Sequence, residues 1–208
     1  MQIGKIIAWL LRAILVLLSI DLLIHGEFIA AMIYIFTFLL SLLPILINEM
    51  YSVQLHWLYD ILLTFILVMH MLGFGGLYEF VPIWDDIGHL FGSAVIAFFC
   101  FSYFYGMNSA KRHRLSLSMI GFLTLLFTVT IGAIWEILEF LWDNIVMLSF
   151  SYGFAQNSLY DTMIDIVFDF TSAIVISLLM VFLLQKFDGK MEKILKPIVK
   201  IFKVRISE

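Results

Sequence analysis

The chain has 208 residues, of which 63% are hydrophobic and only 13% charged, with a mean hydropathy of +1.06. That excludes an ordinary soluble domain, in which about half the residues are apolar and about a quarter charged; a bilayer can use this much apolar surface where a soluble core cannot. The formal net charge of −4 averages a basic side against an acidic one, and the single Cys100, inside an apolar run, excludes a disulfide framework and reads as a small core residue.

Six apolar stretches reach the length of about 20 residues that a span needs. They run near 4–24, 27–47, 57–77, 86–106, 117–142 and 160–185. The first begins like a signal peptide, with Lys5 ahead of an apolar run. Arg12 interrupts that run and no small-x-small cleavage site follows, so a retained span is expected. Asp21, His25 and Glu27 form a short outer turn before the second span. The third carries Asp60 near its inner end and His70 six residues before Gly76.

The fourth opens on Trp84-Asp85-Asp86-Ile87-Gly88-His89, which sets Asp86 and His89 three residues apart on one helix face. In the fifth, Glu136 and Glu139 are spaced the same way and Asp143 follows a turn later. The segment from Asp143 to Tyr160 is longer than ordinary connections. Its Phe150, Tyr152, Gly153 and Phe154 predict a segment lying on the membrane or over a cavity. The sixth span carries Asp161, Asp165 and Asp169 at i, i+4 and i+8, a single acidic stripe.

All 12 Lys and Arg residues fall in the first 12 residues, in 111–114 or after residue 185. By the positive-inside rule, Lys5 and Arg12 put the N-terminus in the cytoplasm. Lys111, Arg112 and Arg114 put the loop after the fourth span there, and Lys186 to Arg205 do the same for the tail. Six spans satisfy all three assignments at once. The predicted fold class is an all-α, polytopic membrane helix bundle of about six transmembrane helices with both termini cytoplasmic. Residues 1–185 form the six-span domain and 186–208 a basic amphipathic cytoplasmic tail. That tail alternates Lys with Ile194, Leu195, Ile198, Val199, Ile201 and Phe202. It suits an interfacial helix on anionic lipids, interrupted near Pro197, or an ordinary cytoplasmic end.

The acids do not follow the basic residues. At about 1.5 Å rise per residue, Glu136 and Asp169 lie roughly 10–12 Å below an outer surface marked by Asp143 and Asp161. On the same count, Glu139, Asp165 and His89 lie about 6 Å deep and His70 about 9 Å. Trp84, Trp135, Trp142, Tyr78 and Tyr160 crowd this level as an aromatic belt would. Carboxylates inside a membrane are costly and face a bundle interior or a wet cavity. With no Lys or Arg beside them, they stay protonated or gather around a cation. A His among carboxylates favours Zn, Mn or Fe over Mg or Ca. Asp86, His89, Glu136 and Asp165 are the expected metal ligands and Glu139 the expected catalytic proton carrier. His70, Asp85, Asp143, Asp161 and Asp169 complete the site. Ordinary readings stand beside these: Asp85, Asp143 and Asp161 are near span ends and would be solvated or serve as caps, and His70 alone would be an interhelical hydrogen-bonding residue.

These residues carry a resemblance. His70-Met-Leu-Gly73, Tyr78, Pro82-Ile-Trp84-Asp85-Asp86-Ile-Gly88-His89, Trp135-Glu136-Ile-Leu-Glu139-Phe140, Gln156 and Tyr160-Asp161-Thr162-Met-Ile-Asp165 occur in this order over residues 70–175. The run resembles a family of uncharacterised bacterial inner membrane proteins typified by YjdF, with Asp169 and Ser172 standing where that pattern usually has small residues and Gly. A looser likeness of layout links it to VanZ-like membrane proteins. The resemblance implies a multi-pass protein of the cytoplasmic (inner) membrane and supplies no activity.

The functional expectation is a metal-dependent membrane enzyme acting on a lipid-linked or envelope substrate. A cation held by His89, Asp86, Glu136 and Asp165 would lower the pKa of a bound water while Glu139 moves the proton. A phosphate-gripping Lys/Arg cluster is lacking. A cation- or proton-coupled transporter, working as a homo-oligomer, is the second reading. A non-catalytic assembly or resistance factor is the third. The expected partners are the lipid bilayer and anionic lipids at the tail, with no nucleic acid.

Overall fold

The computed structural model describes residues 2–81, 83–111, 115–146 and 158–207, which are helical apart from short turns and links, with no strand among them. In chain order they form α1 (Gln2–Ile24), α2 (Phe28–Ser41), α3 (Leu43–Met50), α4 (Trp57–Leu72), α5 (Tyr78–Phe80), α6 (Trp84–Lys111), α7 (Leu117–Leu141), α8 (Leu159–Lys186) and α9 (Asp188–Ser207). A π turn at Trp142–Val146 extends α7, and Gly73–Leu77 links α4 to α5 through a kink at Gly76, which is not helical. Among the described residues six helical stretches are long and apolar enough to span a membrane: Ile3–Ile24, Phe28–Met50, Trp57–Phe80, Trp84–Ala110, Leu117–Ile145 and Leu159–Lys186. The all-α, six-span architecture expected from hydropathy is therefore present. Arg112 and Arg114, the loop residues Phe150, Tyr152, Gly153 and Phe154, and Pro82 and Gln156 of the resemblance lie outside the described residues.

Helix starts follow local chemistry. Ser116 accepts a hydrogen bond from the Met119 N–H at the head of α7, and Ser158 does the same for Asp161 at the head of α8. Large apolar side chains such as Leu10, Leu17, Ile137 and Leu178 stay more than half exposed on the helix flanks. That would be unfavourable in water and is the required outer surface in hydrocarbon.

The chain divides into two compact units, Met1–Trp84 with Tyr105–His113 and Phe187–Glu208, and Asp85–Phe104 with Arg114–Lys186.

In the first unit, α1 packs on α2 and α4 around Leu15, Tyr34, Val68 and Met71, and the Tyr34 hydroxyl donates to the Met71 carbonyl at 2.6 Å. One polar assembly interrupts this core. The fully buried Arg12 guanidinium donates to Ser41 Oγ (3.1 Å), to the Ser41 carbonyl (2.6 Å) and to the Asp60 carboxylate. The backbone explains why. α2 breaks at Leu42, Ile45 donates to Leu42 rather than Ser41, and Pro44 has no N–H. Arg12 supplies a donor to the Ser41 carbonyl at that break. It is thus an internal ion-pair partner.

The first unit also brings one set of span ends together. Gly4, at the start of the first span, sits against the Trp57 ring at the start of the third. α9 lays Ile198 and Phe202 on Gly106, near the end of the fourth span. Lys200 donates to the Ser52 carbonyl just after the second. These are the ends that alternating spans place on one membrane face. α9 is a single helix through Pro197, not one interrupted there. Proline removes one N–H and leaves a single carbonyl without its helical donor, and the bonds on either side carry the helix on.

In the second unit α7 and α8 pack closely. Small residues let them approach: Gly121 faces Val181, and Gly132 faces Asp169. A ring contact and a hydrogen bond are among the contacts that fasten the α6 segment to them. The Phe104 and Phe127 rings meet edge-on at 4.9 Å, and Ser172 Oγ donates to the Leu90 carbonyl at 2.7 Å.

Candidate functional site

The polar residues of the second unit come from three helices, each at helical spacing. On α6, Asp85, His89 and Ser93 recur every four residues and share a face. On α7, Gly132 and Glu136 are one turn apart and Glu139 follows. On α8, Asp165 and Asp169 are one turn apart and Ser172 comes three residues later.

His89 is the hub. Its Nδ1 is 3.2 Å from Asp169 Oδ1 and its Nε2 is 3.4 Å from Glu136 Oε1. Ser93 Oγ donates to the same Asp169 oxygen. His89, Glu136, Asp165 and Asp169 are all buried, with Asp165 and Asp169 only 2% exposed. Two sets of three residues each offer ligand atoms that lie within 4.8 Å of one another inside the set: Asp85, His89 and Asp165 form one, and His89, Glu136 and Glu139 the other. Glu139 is half-buried, and its Oε1 accepts from the Trp135 indole N–H at 2.8 Å.

The chemistry of this donor set is restrictive. Asp169 fixes a proton on Nδ1, as a carboxylate behind a metal-bound histidine does. Nε2 then faces the Glu136 carboxylate, and a lone pair there would repel it. A proton on Nε2, making the ring a donor at both nitrogens, or a cation between ring and carboxylate removes that conflict. No Lys or Arg occurs from residue 13 to 110 or from 115 to 185, so no ammonium or guanidinium from those stretches is at hand. Asp85 and Asp165 lie within electrostatic range of each other and of Glu136 and Asp161. An imidazole with several carboxylates fits a divalent transition metal.

The structure brings together His89, Glu136, Glu139, Asp165 and Asp85. Asp86 is half-buried and belongs to neither ligand group; Asp85, one turn before His89, is the carboxylate of this pair that joins His89 and Asp165. Asp169 stands behind His89 and in neither group. Asp161 is half-buried in the first turn of α8, and Asp143 is half-buried in the π turn after α7. His70 belongs to the first unit, where its Nδ1 is 2.9 Å from the Tyr78 hydroxyl. The intervening turn requires Gly76, at φ 125°, a conformation that side chains resist.

Ser93 and Gly132 were not anticipated. Ser93 lies one turn beyond His89, so its spacing was visible. Gly132 has a purely spatial role: a Cβ there would overlap the Asp169 carboxylate. Asp169 Oδ2 is buried without a hydrogen-bond partner among the described residues.

The chain belongs to the family described as Predicted membrane protein (DUF2238), whose model matches residues 5–186. A protein from Thermotoga maritima named only "Uncharacterized protein" is 35% identical over 94 residues, 44% of this chain and 44% of that relative. The chain thus spans less than half the length of that relative. No solved structure matches.

Proposed function

We propose that this member of the family is a metal-dependent enzyme of the bacterial cytoplasmic membrane, acting on a lipid-linked or envelope substrate. The observation that carries the reading is His89, held at Nδ1 by a buried Asp169 that Ser93 orients in turn, with Nε2 turned toward a second carboxylate. Such backing is the usual support of a metal-bound imidazole. His89, Glu136, Asp165 and Asp85 would hold Zn, Mn or Fe, with Mg or Ca less suited to the imidazole. The metal would supply Lewis acidity and a readily deprotonated water.

The remaining work belongs to the chain. Asp169 and Ser93 keep the His89 ring in one tautomer and orientation. Glu139, more open than Glu136 and steadied by Trp135, takes a proton from the attacking water and returns it to the leaving group. Burial around His89 and Asp165 limits stray water. The lack of Lys and Arg along these helices argues for an uncharged reacting group, such as an ester or amide, over a phosphate. Apolar flanks would admit a lipid tail from the bilayer.

Cation- or proton-coupled transport is the second reading. It is favoured by the Asp161–Asp165–Asp169 stripe and by the buried Ser177 hydroxyl two turns further along α8, without a hydrogen-bond partner among the described residues. Elemental analysis of detergent-purified protein, beside His89→Ala and Glu136→Gln, separates the readings. Near-stoichiometric metal lost in both variants, with turnover of lipid ester or amide substrates that chelator abolishes, supports the enzyme. Folded wild-type protein without metal overturns it. Flux into proteoliposomes that Asp165→Asn abolishes would then support transport.

A further inference from the structure

Outside the candidate metal site, the other concentration of charge lies in the first unit, on α9. Lys193, Lys196, Lys200 and Lys203 follow one another at three, four and three residues, which keeps all four on a single face. The opposite face carries Met191 and Leu195, both buried, and Ile198 and Phe202, which rest on Gly106. The helix is therefore docked by its apolar side onto protein, and its lysines are presented outward. With Ser52 and Gln54 they line a groove of about 680 Å³. Lys200 is fixed there by its bond to the Ser52 carbonyl at 3.1 Å, and Ser52 itself sits at φ 48° in a turn closed by the Asn48 side chain on the Leu55 N–H.

Two further facts identify an occupant. Among the described residues no carboxylate lines the groove, although Glu49 and Glu192 are exposed on the same elements. The groove also lies at the level of span ends, since Ser52 follows the second span within two residues and α9 meets Gly106 four residues before the end of the fourth. This is the depth of phospholipid headgroups. From this charge and this level we infer that the groove binds the phosphate of an anionic phospholipid headgroup, with its acyl chains in the surrounding bilayer. Lys193, Lys196 and Lys203 supply ammonium donors, and Lys200 bridges the headgroup to the turn after α3. The inference is independent of the metal site.

The test is native mass spectrometry of the full chain in detergent, offered phosphatidylglycerol and phosphatidylcholine together. The wild type should retain phosphatidylglycerol preferentially. Each lysine near anionic lipid favours it by about fivefold, so replacing all four with Gln should lower the preference by about tenfold or more. The four-Arg variant should keep it, and so should Lys186→Gln/Lys190→Gln, whose lysines lie outside the groove. If the four-Gln protein does not fold, Lys196→Gln and Lys200→Gln must each lower the preference severalfold. Equal retention of the two lipids, or an equal loss in the Lys186/Lys190 variant, overturns the inference. Displacement of the lipid by inorganic phosphate alone does so too, since that would assign the groove to a soluble anion.

Discussion

Removing Asp60 should cost far more than removing Asp60 and Arg12 together. The Arg12 guanidinium is fully buried, and its counter-charge is the Asp60 carboxylate, whose side chain is 15% exposed. Asp60→Leu leaves a buried cation whose one remaining acceptor residue among the described residues is Ser41. Breaking one side of such a pair costs about 3–5 kcal/mol. In the double variant Arg12→Met/Asp60→Leu no charge is buried. Ser41 Oγ keeps its own bond to the Phe38 carbonyl at 2.6 Å, so the main loss is the donor to the Ser41 carbonyl at the α2–α3 break. An orphaned carbonyl costs roughly 1–3 kcal/mol, and the double variant should recover about 2 kcal/mol relative to Asp60→Leu. The assay is equilibrium unfolding in mixed micelles of detergent and sodium dodecyl sulfate, followed by helical circular dichroism. If the double variant is no more stable than Asp60→Leu, or if Asp60→Leu unfolds with the wild type, the pair does not hold α1, α2 and α4 together as described.

At the candidate site, Asp169→Asn removes no proposed ligand yet should weaken metal binding by about 10–100-fold, measured by chelator competition, because the Nδ1 partner loses its charge. Unchanged affinity would take Asp169 out of the site. Gly132→Ala should destabilise the protein by about 1–3 kcal/mol, since its Cβ would displace the Asp169 carboxylate. A thermal unfolding curve matching the wild type would contradict that close approach. Gly73→Ala would overlap the Tyr78 ring and should lower the thermal midpoint while leaving metal content as in the wild type. Loss of metal in that variant would contradict a role for Gly73 confined to packing against Tyr78. Glu139→Gln should keep the metal and lose turnover if Glu139 moves the proton; loss of both would make it a ligand.

Hydropathy alone determined the class, the six spans and their limits to within a few residues, because the length of a span and the apolarity of its surface are set by the bilayer and not by the neighbouring helices. Helical spacing likewise made the Asp165–Asp169 stripe and the Glu136/Glu139 pair legible, since residues three and four apart share a face whatever that face meets. Which faces meet was decided only by packing. Asp85 rather than Asp86 joins His89 and Asp165 because the rotation of α6 points one of two adjacent carboxylates at α8. Asp169 backs His89 because Gly132 lets α8 close on α7. Arg12 counted in the sequence only as a basic residue near the N-terminus, and its pairing with Asp60 and with the Ser41 carbonyl at the Leu42 break is set by packing. Periodicity is a property of one helix; a charge pair or a ligand set needs two or three helices at fixed rotation, and that information is tertiary.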